Sequence, residues 1–236
     1  MKKIKELYEG KAKKVYETED PNLYIVSYKD DATAFNGEKK GQIADKGVVN
    51  NTMSDIIFAI LEEKGIPTHF VKQLDGRDTV VKAVHIIPLE VIVRNVAAGS
   101  FSKRYGVEEG SELLKSTLEF SYKKDELGDP LINEDHIIAL GLATEDELKI
   151  VRNYTLEIND ILKKFFLEKE LNLIDFKIEF GKDKDGKIIL ADEISPDTCR
   201  LWDVNTGEKM DKDRFRRDLG NLEETYQAVL SRVKGK

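Results

Sequence analysis

The stretch Ile174-Asp-Phe-Lys-Ile-Glu-Phe180 alternates apolar and charged residues without interruption. A period of two predicts a β-strand whose apolar side chains face a core, while Asp175, Lys177 and Glu179 share the opposite face. Such a row of charges also occurs on the solvated faces of ordinary sheets. The stretch therefore predicts a strand that covers a core, and it leaves two interpretations of the charged face open.

A hairpin signal follows this strand. Lys184-Asp-Gly-Lys187 is typical of a two-residue Asp-Gly loop, which pairs residue 184 with residue 187. Counting outward from that loop places Glu179 directly opposite Asp192. Two carboxylates about 4.5 to 5.5 Å apart destabilise a strand pair unless a cation lies between them. Because no His or Cys is nearby, we predict that Glu179 and Asp192 hold a hard ion such as Mg²⁺ together with phosphate groups.

The composition limits the class of protein. The chain has 236 residues, 40% hydrophobic and 35% charged, with a formal net charge of −7, which provides a core and excludes a disordered chain. The negative balance argues against nucleic acid as a partner. No apolar run approaches the ~18 residues of a membrane span, so no membrane partner is expected. A single cysteine, Cys199, and a start without a signal-peptide pattern predict a cytoplasmic location.

Short strands dominate the first eighty residues. β-forming runs separated by turn residues fit an antiparallel meander over residues 4–8, 13–17 and 23–28. Residues 29–41 have the composition of a polar loop, and helical spacing of apolar residues begins at Val49. Two strands rich in Val and Ile follow, and Pro88 indicates a break or an edge position in the second of them.

We expect a domain boundary between residues 84 and 85. Residues 1–84 then form a small antiparallel lobe, and residues 85–236 form a larger lobe of helices and strands. In the larger lobe, Thr144-Glu-Asp-Glu147 is a capping box that opens a long amphipathic helix. The predicted fold class is therefore α+β with two lobes.

Two segments have features of phosphate-binding sites. Tyr8-Glu-Gly-Lys-Ala-Lys13 places a glycine turn beside Lys11 and Lys13, whose amines can reach one anion; ordinary surface lysines would give the same pattern. Farther along, a hydrophobic strand leads past Arg94 through a small-residue turn to Ser100, at the start of a predicted helix. An ordinary capped helix is the alternative interpretation there.

A third segment, Ser195-Pro-Asp-Thr-Cys-Arg-Leu-Trp-Asp203, follows the predicted metal strand and adds Asp197 and Arg200. The chain lacks the glycine signatures of P-loop and Rossmann proteins and the serine elbow of hydrolases. Its three histidines are far apart, which argues against zinc. The chemistry that remains is that of carboxylates, lysines and arginines.

Five motifs, in this order along the chain, resemble the SAICAR synthetase (phosphoribosylaminoimidazole-succinocarboxamide synthase) family. They cover residues 8–13, 29–37, 90–100, 175–181 and 192–203. The resemblance implies an ATP-dependent ligase of de novo purine biosynthesis that joins L-aspartate to the carboxylate of carboxyaminoimidazole ribonucleotide (CAIR). The products are SAICAR, ADP and phosphate, and an acyl phosphate is the expected intermediate. An ATP-grasp-like fold with ATP between two lobes, and a homodimer, are implied as well.

The resemblance also implies which residues bind each substrate. For ATP and Mg²⁺ these are Gly10, Lys11 and Lys13 over the phosphates, Lys82 in the adenine segment 82–89, and Glu179 and Asp192 at the metal. For the ribonucleotide they are Arg94, Ser100 and Arg200 at the phosphate, and Asp175, Lys177 and Asp197 around the sugar and imidazole.

Three of these residues, Lys13, Asp175 and Lys177, are expected to act in catalysis. Lys13 would neutralise phosphate charge, and Asp175, kept ionised beside Lys177, would assist loss of the proton from the aspartate amine. Residues 30–37 would serve aspartate or close the site. Some members of the family carry Asp where this chain has Asn36, so Asn36 is not included in the catalytic set.

Two other functions fit the same residues. A small-molecule kinase would share the phosphate loop and the metal pair, but it would leave a stable phosphorylated product without aspartate. A nucleotide-sensing module would keep the lysines and arginines, but it would tolerate loss of the metal carboxylates.

Overall fold

A computed structural model describes residues 1–34 and 38–235. Its strands are β1 (Glu6–Glu9), β2 (Lys13–Glu17), β3 (Leu23–Tyr28), β4 (Asp31–Ala34), β5 (Lys39–Gln42), β6 (Phe70–Gln73), β7 (Asp78–Lys82), β8 (His85–Ile86), β9 (Leu89–Val96), β10 (Glu112–Tyr122), β11 (Leu131–Ile132), β12 (Leu171–Lys182), β13 (Ile188–Ala191) and β14 (Cys199–Asp203). Its α-helices are α1 (Lys46–Glu63), α2 (Gly99–Tyr105), α3 (Glu134–Ala139), α4 (Glu145–Leu167), α5 (Asp213–Arg216) and α6 (Leu222–Lys234).

Two antiparallel sheets contain most of the strands. The first has the order β1-β2-β3-β7-β6 and includes the predicted meander. The second has the order β11-β10-β9-β12-β13, and β14 and β8 also pair with β12. Strands of the first sheet end at Lys82, and those of the second begin at His85. The mixed α+β class predicted from the sequence is confirmed.

Helix α1 connects the two halves of the chain through the core. Its residues Met53, Ile57 and Phe58 belong to the same buried cluster as Val93 of β9 and Phe176 of β12. Burial of apolar surface is the main contribution to such packing. The division into lobes at residues 84 and 85 stays a prediction, and the core is shared across that point.

The long helix α4 begins as the sequence predicts. The hydroxyl of Thr144 accepts a hydrogen bond from the backbone N–H of Glu147, and the carboxylate of Glu147 accepts one from the N–H of Thr144. This reciprocal capping box satisfies two N–H groups that an uncapped helix would leave unpaired. Among the described residues, no helix combines the length and the apolar character needed to cross a bilayer.

Strand β12 lies at the centre of the second sheet. Its first half pairs with β9 and β14, and its second half pairs with β13 and β8. The apolar side chains of the alternating stretch 174–180 are buried, as predicted. Asp175, Lys177 and Glu179 share the other face, which borders the cavities described below.

The register of the hairpin β12–β13 differs from the prediction. Glu179 lies opposite Ala191, and Asp192 comes one residue after the end of the strand. The prediction that Glu179 and Asp192 are directly opposed is therefore wrong. Asp192 instead adopts a left-handed backbone conformation, with φ of 63°, which turns the chain out of the strand.

The cause of this shift is a longer loop. The N–H of Asp183 donates to the carbonyl of Lys187 at 3.0 Å. In turn, the Asp183 carboxylate accepts hydrogen bonds from the N–H groups of Asp185 and Lys187 at 3.0 and 2.9 Å. Gly186 has φ of 78°, as expected for a three-residue loop that ends in a left-handed glycine. Asp183 thus pairs with Lys187, and Lys184 joins Asp185 and Gly186 in a three-residue loop.

Residues 29–41, predicted to be a polar loop, contain the hairpin β4–β5. Residue 36, the asparagine considered above, lies outside the described residues, as do Phe35 and Gly37. Lys40 and Gly41 pair with Thr33 and Ala32 across the hairpin, so the loop prediction is wrong for most of the segment.

Candidate active site

Two adjoining cavities border the polar face of β12. The first has a volume of about 630 Å³ and the second about 360 Å³. They share part of their walls, including Lys11, Glu90, Lys177, Asp197 and Lys212. Ligands bound in the two cavities would therefore meet at a boundary lined by charged side chains.

The first cavity contains every residue predicted to bind ATP or the metal. These are Gly10, Lys11, Lys13, Lys82, Glu179 and Asp192. The glycine turn is closed by a hydrogen bond from the N–H of Gly10 to the carbonyl of Lys13 at 2.8 Å. Lys82 also donates from Nζ to the carbonyl of Thr68 at 2.8 Å. The roles assigned to these residues stay predictions, and the structure places them around one space.

One end of the first cavity is apolar. Its lining there comes from strands β2, β3, β7 and β8, with Val15, Val26, Val81 and Ile86. Flat aromatic ligands are favoured by such surfaces, because they bury apolar area without leaving polar groups unpaired. The predicted adenine segment, residues 82–89, contributes to this end.

At the other end, lysines and carboxylates form a network. Nζ of Lys177 lies 2.9 Å from Oε1 of Glu179, 3.4 Å from Oδ2 of Asp192 and 3.1 Å from Oε1 of Glu90. Lys123 contacts Glu179 at 2.5 Å. Glu179 and Asp192 thus meet around one ammonium group, although their strand register is not the predicted one.

Lys13 completes this network from the first sheet by pairing with Asp192. Burial alone would lower the pKa of Lys13, but the negative charges of Asp192 and Glu193 outweigh it and raise the pKa. The pKa of Lys177 is raised in the same way, against burial, by Glu179, Asp192 and Glu90. For Asp192, burial opposes ionisation, and Lys13 and Lys177 still lower its pKa. Lys13, Lys177 and Asp192 are therefore charged at neutral pH.

The second cavity contains every residue predicted to bind the ribonucleotide. These are Arg94, Ser100, Asp175, Lys177, Asp197 and Arg200. Asp175 on β12 is the direct cross-strand partner of both Arg94 on β9 and Arg200 on β14. Three neighbouring strands thus place one carboxylate between two guanidinium groups.

All three side-chain nitrogens of Arg94 have partners within the protein. Nε donates to Glu119 at 3.0 Å, Nη1 to Asp175 at 2.9 Å, and Nη2 to the hydroxyl of Ser100 at 3.0 Å. The residue is 3% exposed. Arg94 is therefore a buried, fixed charge at the wall of the second cavity.

Comparisons with known proteins identify the family of this chain. A family model described as SAICAR synthetase matches residues 6–233. The phosphoribosylaminoimidazole-succinocarboxamide synthase of Clostridium botulinum (strain Alaska E43 / Type E3) is 60% identical over 233 residues, which cover 99% of each chain. This chain belongs to the SAICAR synthetase family. The resemblance found in the sequence is confirmed.

Solved structures of the SAICAR synthetase family have the same fold. The phosphoribosylaminoimidazole-succinocarboxamide synthase from Ehrlichia chaffeensis matches with a TM-score of 0.96 and 45% identity, over 98% of both chains. A SAICAR synthetase in complex with ADP matches with a TM-score of 0.94 and 49% identity, over 97% of both chains. The second of these structures is of a relative that holds a nucleotide.

Asp197, which is predicted to bind the substrate of this SAICAR synthetase family member, is contacted by side chains from three separate segments of the chain. Lys46 of α1 lies 2.9 Å away, Lys212 lies 3.2 Å away, and the hydroxyl of Tyr226 on α6 donates at 2.7 Å. Burial alone would raise the pKa of Asp197, but Lys212 and Lys46 outweigh it and lower the pKa. Asp197 is therefore held ionised at the boundary of the two cavities.

Sequence reasoning missed several residues of this site. Lys46, Lys123, Lys212 and Arg216 line the cavities or contact their carboxylates. Each is a basic residue in a polar segment, with no local pattern that separates it from surface lysines and arginines. These basic residues can be identified only from the three-dimensional structure, which places them around Asp197 and Glu179 or along the cavity walls.

The donor set around Glu179 fits a magnesium ion. Mg²⁺ usually takes one or two carboxylates and completes its shell with phosphates and water, and the described residues contain no group of three or more His, Cys, Asp or Glu side chains suited to a metal. Glu193, next to Asp192, is buried, and its Oε2 receives no hydrogen bond from the described residues. An additional oxygen is thus present beside the predicted metal pair.

Proposed function

We propose that the chain uses ATP to join L-aspartate to the carboxylate of CAIR, giving SAICAR, ADP and phosphate. The observation that carries this proposal is the boundary between the two cavities. A nucleotide in the first cavity and a carboxylated ribonucleotide in the second would both reach the wall formed by Lys177. Membership of the SAICAR synthetase family and the ADP complex of a 49% identical relative support the same reaction.

Glu179 and Asp192 would hold Mg²⁺ in this reaction. Bound there, the ion would neutralise charge on the phosphates of ATP. Lys13 and Lys177 lie beside these carboxylates, so their ammonium groups would bind the phosphate oxygens from either side. Positioning and charge neutralisation supply most of the catalysis in phosphoryl transfer.

The reaction requires an activated carboxylate, because a carboxylate ion is a poor electrophile. An oxygen of the CAIR carboxylate would attack the γ-phosphorus of ATP, ADP would leave, and an acyl phosphate would form. The amine of aspartate would then attack the acyl carbon and lose a proton, and phosphate would leave as the amide bond forms. Lys177 at the cavity boundary would stabilise the charge on the transferred group.

The contacts of Asp175 bear on its predicted part in proton transfer. Its Oδ2 accepts from Arg94 at 2.9 Å, and both of its oxygens accept from Arg200 at 3.0 and 2.8 Å. Both oxygens of the carboxylate are thus engaged by charged hydrogen bonds from guanidinium groups. These contacts favour a role for Asp175 in holding the two arginines in position. They do not favour the role in proton transfer that was proposed from the sequence.

The test is an assay of ADP release in which each substrate is omitted in turn. We expect release to depend on ATP, CAIR and L-aspartate together, with SAICAR as the product. ADP release and a stable phosphorylated ribonucleotide in the absence of aspartate would favour the kinase. Binding of nucleotide without turnover under any combination would favour the sensing module.

A homodimer and a cytoplasmic location belong to the same proposal. The homodimer rests on the family resemblance, and sedimentation of the purified chain tests it. The location rests on Cys199, the single cysteine of the chain, which cannot form an internal disulfide. Proteins of reducing compartments rarely depend on disulfides.

A further inference from the structure

The guanidinium group of Arg200 is fixed on two sides. Nη1 donates to both oxygens of Asp175, and Nε donates to Oδ2 of Asp213 at 2.9 Å. Both carboxylates are buried, at 4% and 1% exposure. Asp213 is itself held by Nη1 of Arg216 at 2.6 Å. Movement of Arg200 would therefore break charged hydrogen bonds that water cannot easily replace.

The backbone of Gly99 lies on a third side of this guanidinium group. A Cβ atom added at Gly99 would collide with Nη2 of Arg200 and would lie 2.7 Å from Cζ and 3.0 Å from Nη1 of the same side chain. Gly99 also has φ of 54°. An unrestrained arginine side chain could move away from such a contact, but the ion pairs with Asp175 and Asp213 oppose that movement.

Nη2 is also the nitrogen of Arg200 that remains available to a ligand. The hydrogen bonds of Arg200 use Nε and Nη1, and Nη2 makes none within residues 1–34 and 38–235. Arg200 lines the second cavity together with Ser100, the neighbour of Gly99. An amino group that is charged, fixed and unpaired beside a cavity is a donor for an anionic ligand.

We propose that Gly99 is a positioning residue for the substrate. The absence of a side chain at this position lets the guanidinium group of Arg200 lie against the backbone, and it leaves Nη2 open to an anionic group of the ribonucleotide. The positive φ of Gly99 favours glycine by itself, but it does not account for the close approach of this backbone to Arg200. The inference rests on the proposed function, because the ribonucleotide is CAIR.

The experiment compares two glycines of the same helix. Gly106, the C-cap of α2, has φ of 65° and no atom within 4 Å of an added Cβ. Gly99→Ala and Gly106→Ala therefore introduce similar backbone strain, and only the first brings a methyl group against Arg200. Steady-state kinetics of the full-length variants would give KM for CAIR and for ATP.

We expect Gly99→Ala to raise KM for CAIR roughly 10- to 100-fold, the range for loss of a hydrogen bond to a charged group. KM for ATP should stay close to that of the unmodified chain, and Gly106→Ala should leave both values close to it. In an Arg200→Lys background, Gly99→Ala should raise KM for CAIR no more than Gly106→Ala does, because lysine has no Nη2 to collide with the added methyl group.

Equal KM values for CAIR in the two single variants would overturn the inference, as would an equal rise in KM for ATP and CAIR in Gly99→Ala. If Gly99→Ala does not fold, the thermal unfolding of the double variant Gly99→Ala, Arg200→Lys decides. A double variant that folds supports the collision with Arg200, and one that does not fold overturns the inference. An unmodified chain without CAIR-dependent ADP release would instead overturn the proposed function.

Discussion

Asp175 and Glu179 lie four residues apart on the same face of β12, and both are buried, but different cations hold them. Two arginines, Arg94 and Arg200, contact Asp175. Two lysines, Lys123 and Lys177, contact Glu179. The same strand thus carries a carboxylate fixed by guanidinium groups and a carboxylate neutralised by ammonium groups.

The difference indicates what each carboxylate can do. Guanidinium groups bind carboxylates in a fixed planar arrangement, whereas an ammonium group on a flexible stem is a movable point charge. The side chain of Lys123 is 42% exposed and that of Arg94 is 3% exposed. Lysines can move from Glu179 to an incoming phosphate and leave the carboxylate to a metal. The arginines at Asp175 form a rigid anchor.

The largest effect is expected at the movable end. Glu179→Ala should lower turnover about 1000-fold, which corresponds to about 4 kcal/mol, because the proposed magnesium ion would lose a ligand and would no longer balance the phosphate charge. Affinity for CAIR, measured by calorimetry, should fall only modestly. Glu134→Ala, which removes a carboxylate paired with Arg152 away from the cavities, is the control. Unchanged turnover in Glu179→Ala would contradict the metal assignment.

At the rigid end, the main effect is expected on stability. Asp175→Asn should reduce the free energy of unfolding by about 3 kcal/mol, because buried Arg94 and partly buried Arg200 lose the carboxylate that they share. Urea denaturation measures this. Asp203→Asn, which breaks the pair with Arg232 at 2.6 Å, serves as the matched control: it should also destabilise the chain, but it should not change KM for CAIR. An Asp175→Asn variant as stable as the unmodified chain would contradict the conclusion that Asp175 and its arginines form a rigid anchor.

A smaller effect is expected from Arg200. Arg200→Ala should weaken CAIR binding roughly 10- to 100-fold and leave ATP binding nearly intact, because a charged hydrogen-bond donor is lost only in the second cavity. Arg200→Lys should recover little, since an ammonium group cannot contact Asp175, Asp213 and a ligand at once. Full recovery by lysine would refute the contrast between the two cations, and equal weakening of ATP and CAIR would place Arg200 elsewhere.

The smallest effect is expected at Glu109, which one arginine and one lysine hold together. Hydrogen bonding to Arg217, and the charges of Lys209 and Arg217, outweigh partial burial and lower the pKa of Glu109 to about 2. Such a carboxylate stabilises the fold above its unfolded pKa and loses that contribution as the pH falls. Glu109→Gln should therefore cost less than about 1 kcal/mol at pH 7, after allowance for solvent screening.

Unfolding of Glu109→Gln and the unmodified chain across the acid range provides the measurement. The difference between them should shrink as the pH falls from about 4.5 towards 2. A difference that stays constant over this range would show that Glu109 acts through packing. In an Arg217→Lys background, Glu109→Gln should still lower the free energy of unfolding at pH 7, but by less, because Lys209 remains 3.3 Å from the carboxylate.

Strand β12 was predictable because one face of it is buried and the other is charged. The hairpin that follows was also predicted, but its register was not, because the Asp-Gly pattern does not reveal the hydrogen bonds to the Asp183 carboxylate that accompany the longer loop. Asp192 nevertheless reaches the site, since its left-handed backbone turns it towards Lys13 and Lys177. The predicted proximity is correct, and the geometry that produces it is different.

Other parts of the site depend on contacts between distant segments. Lys46 is completely buried against Asp197, 151 residues away in the sequence, and a lysine in a polar segment carries no signal of this. Strand β10 was missed for a related reason: only Phe120 and Ser121 of this strand are buried. Its pattern therefore lacks the alternation that identified β12.

The position of Asp175 and Glu179 on one strand has a consequence for substrate selection. An extended backbone separates them by roughly 13 Å along the strand, and pairing with β9, β13 and β14 keeps this part of β12 extended. In the proposed reaction the strand thus sets the distance between the two binding positions. A ribonucleotide of a different length, bound by the arginines at Asp175, would place its carboxylate away from Glu179.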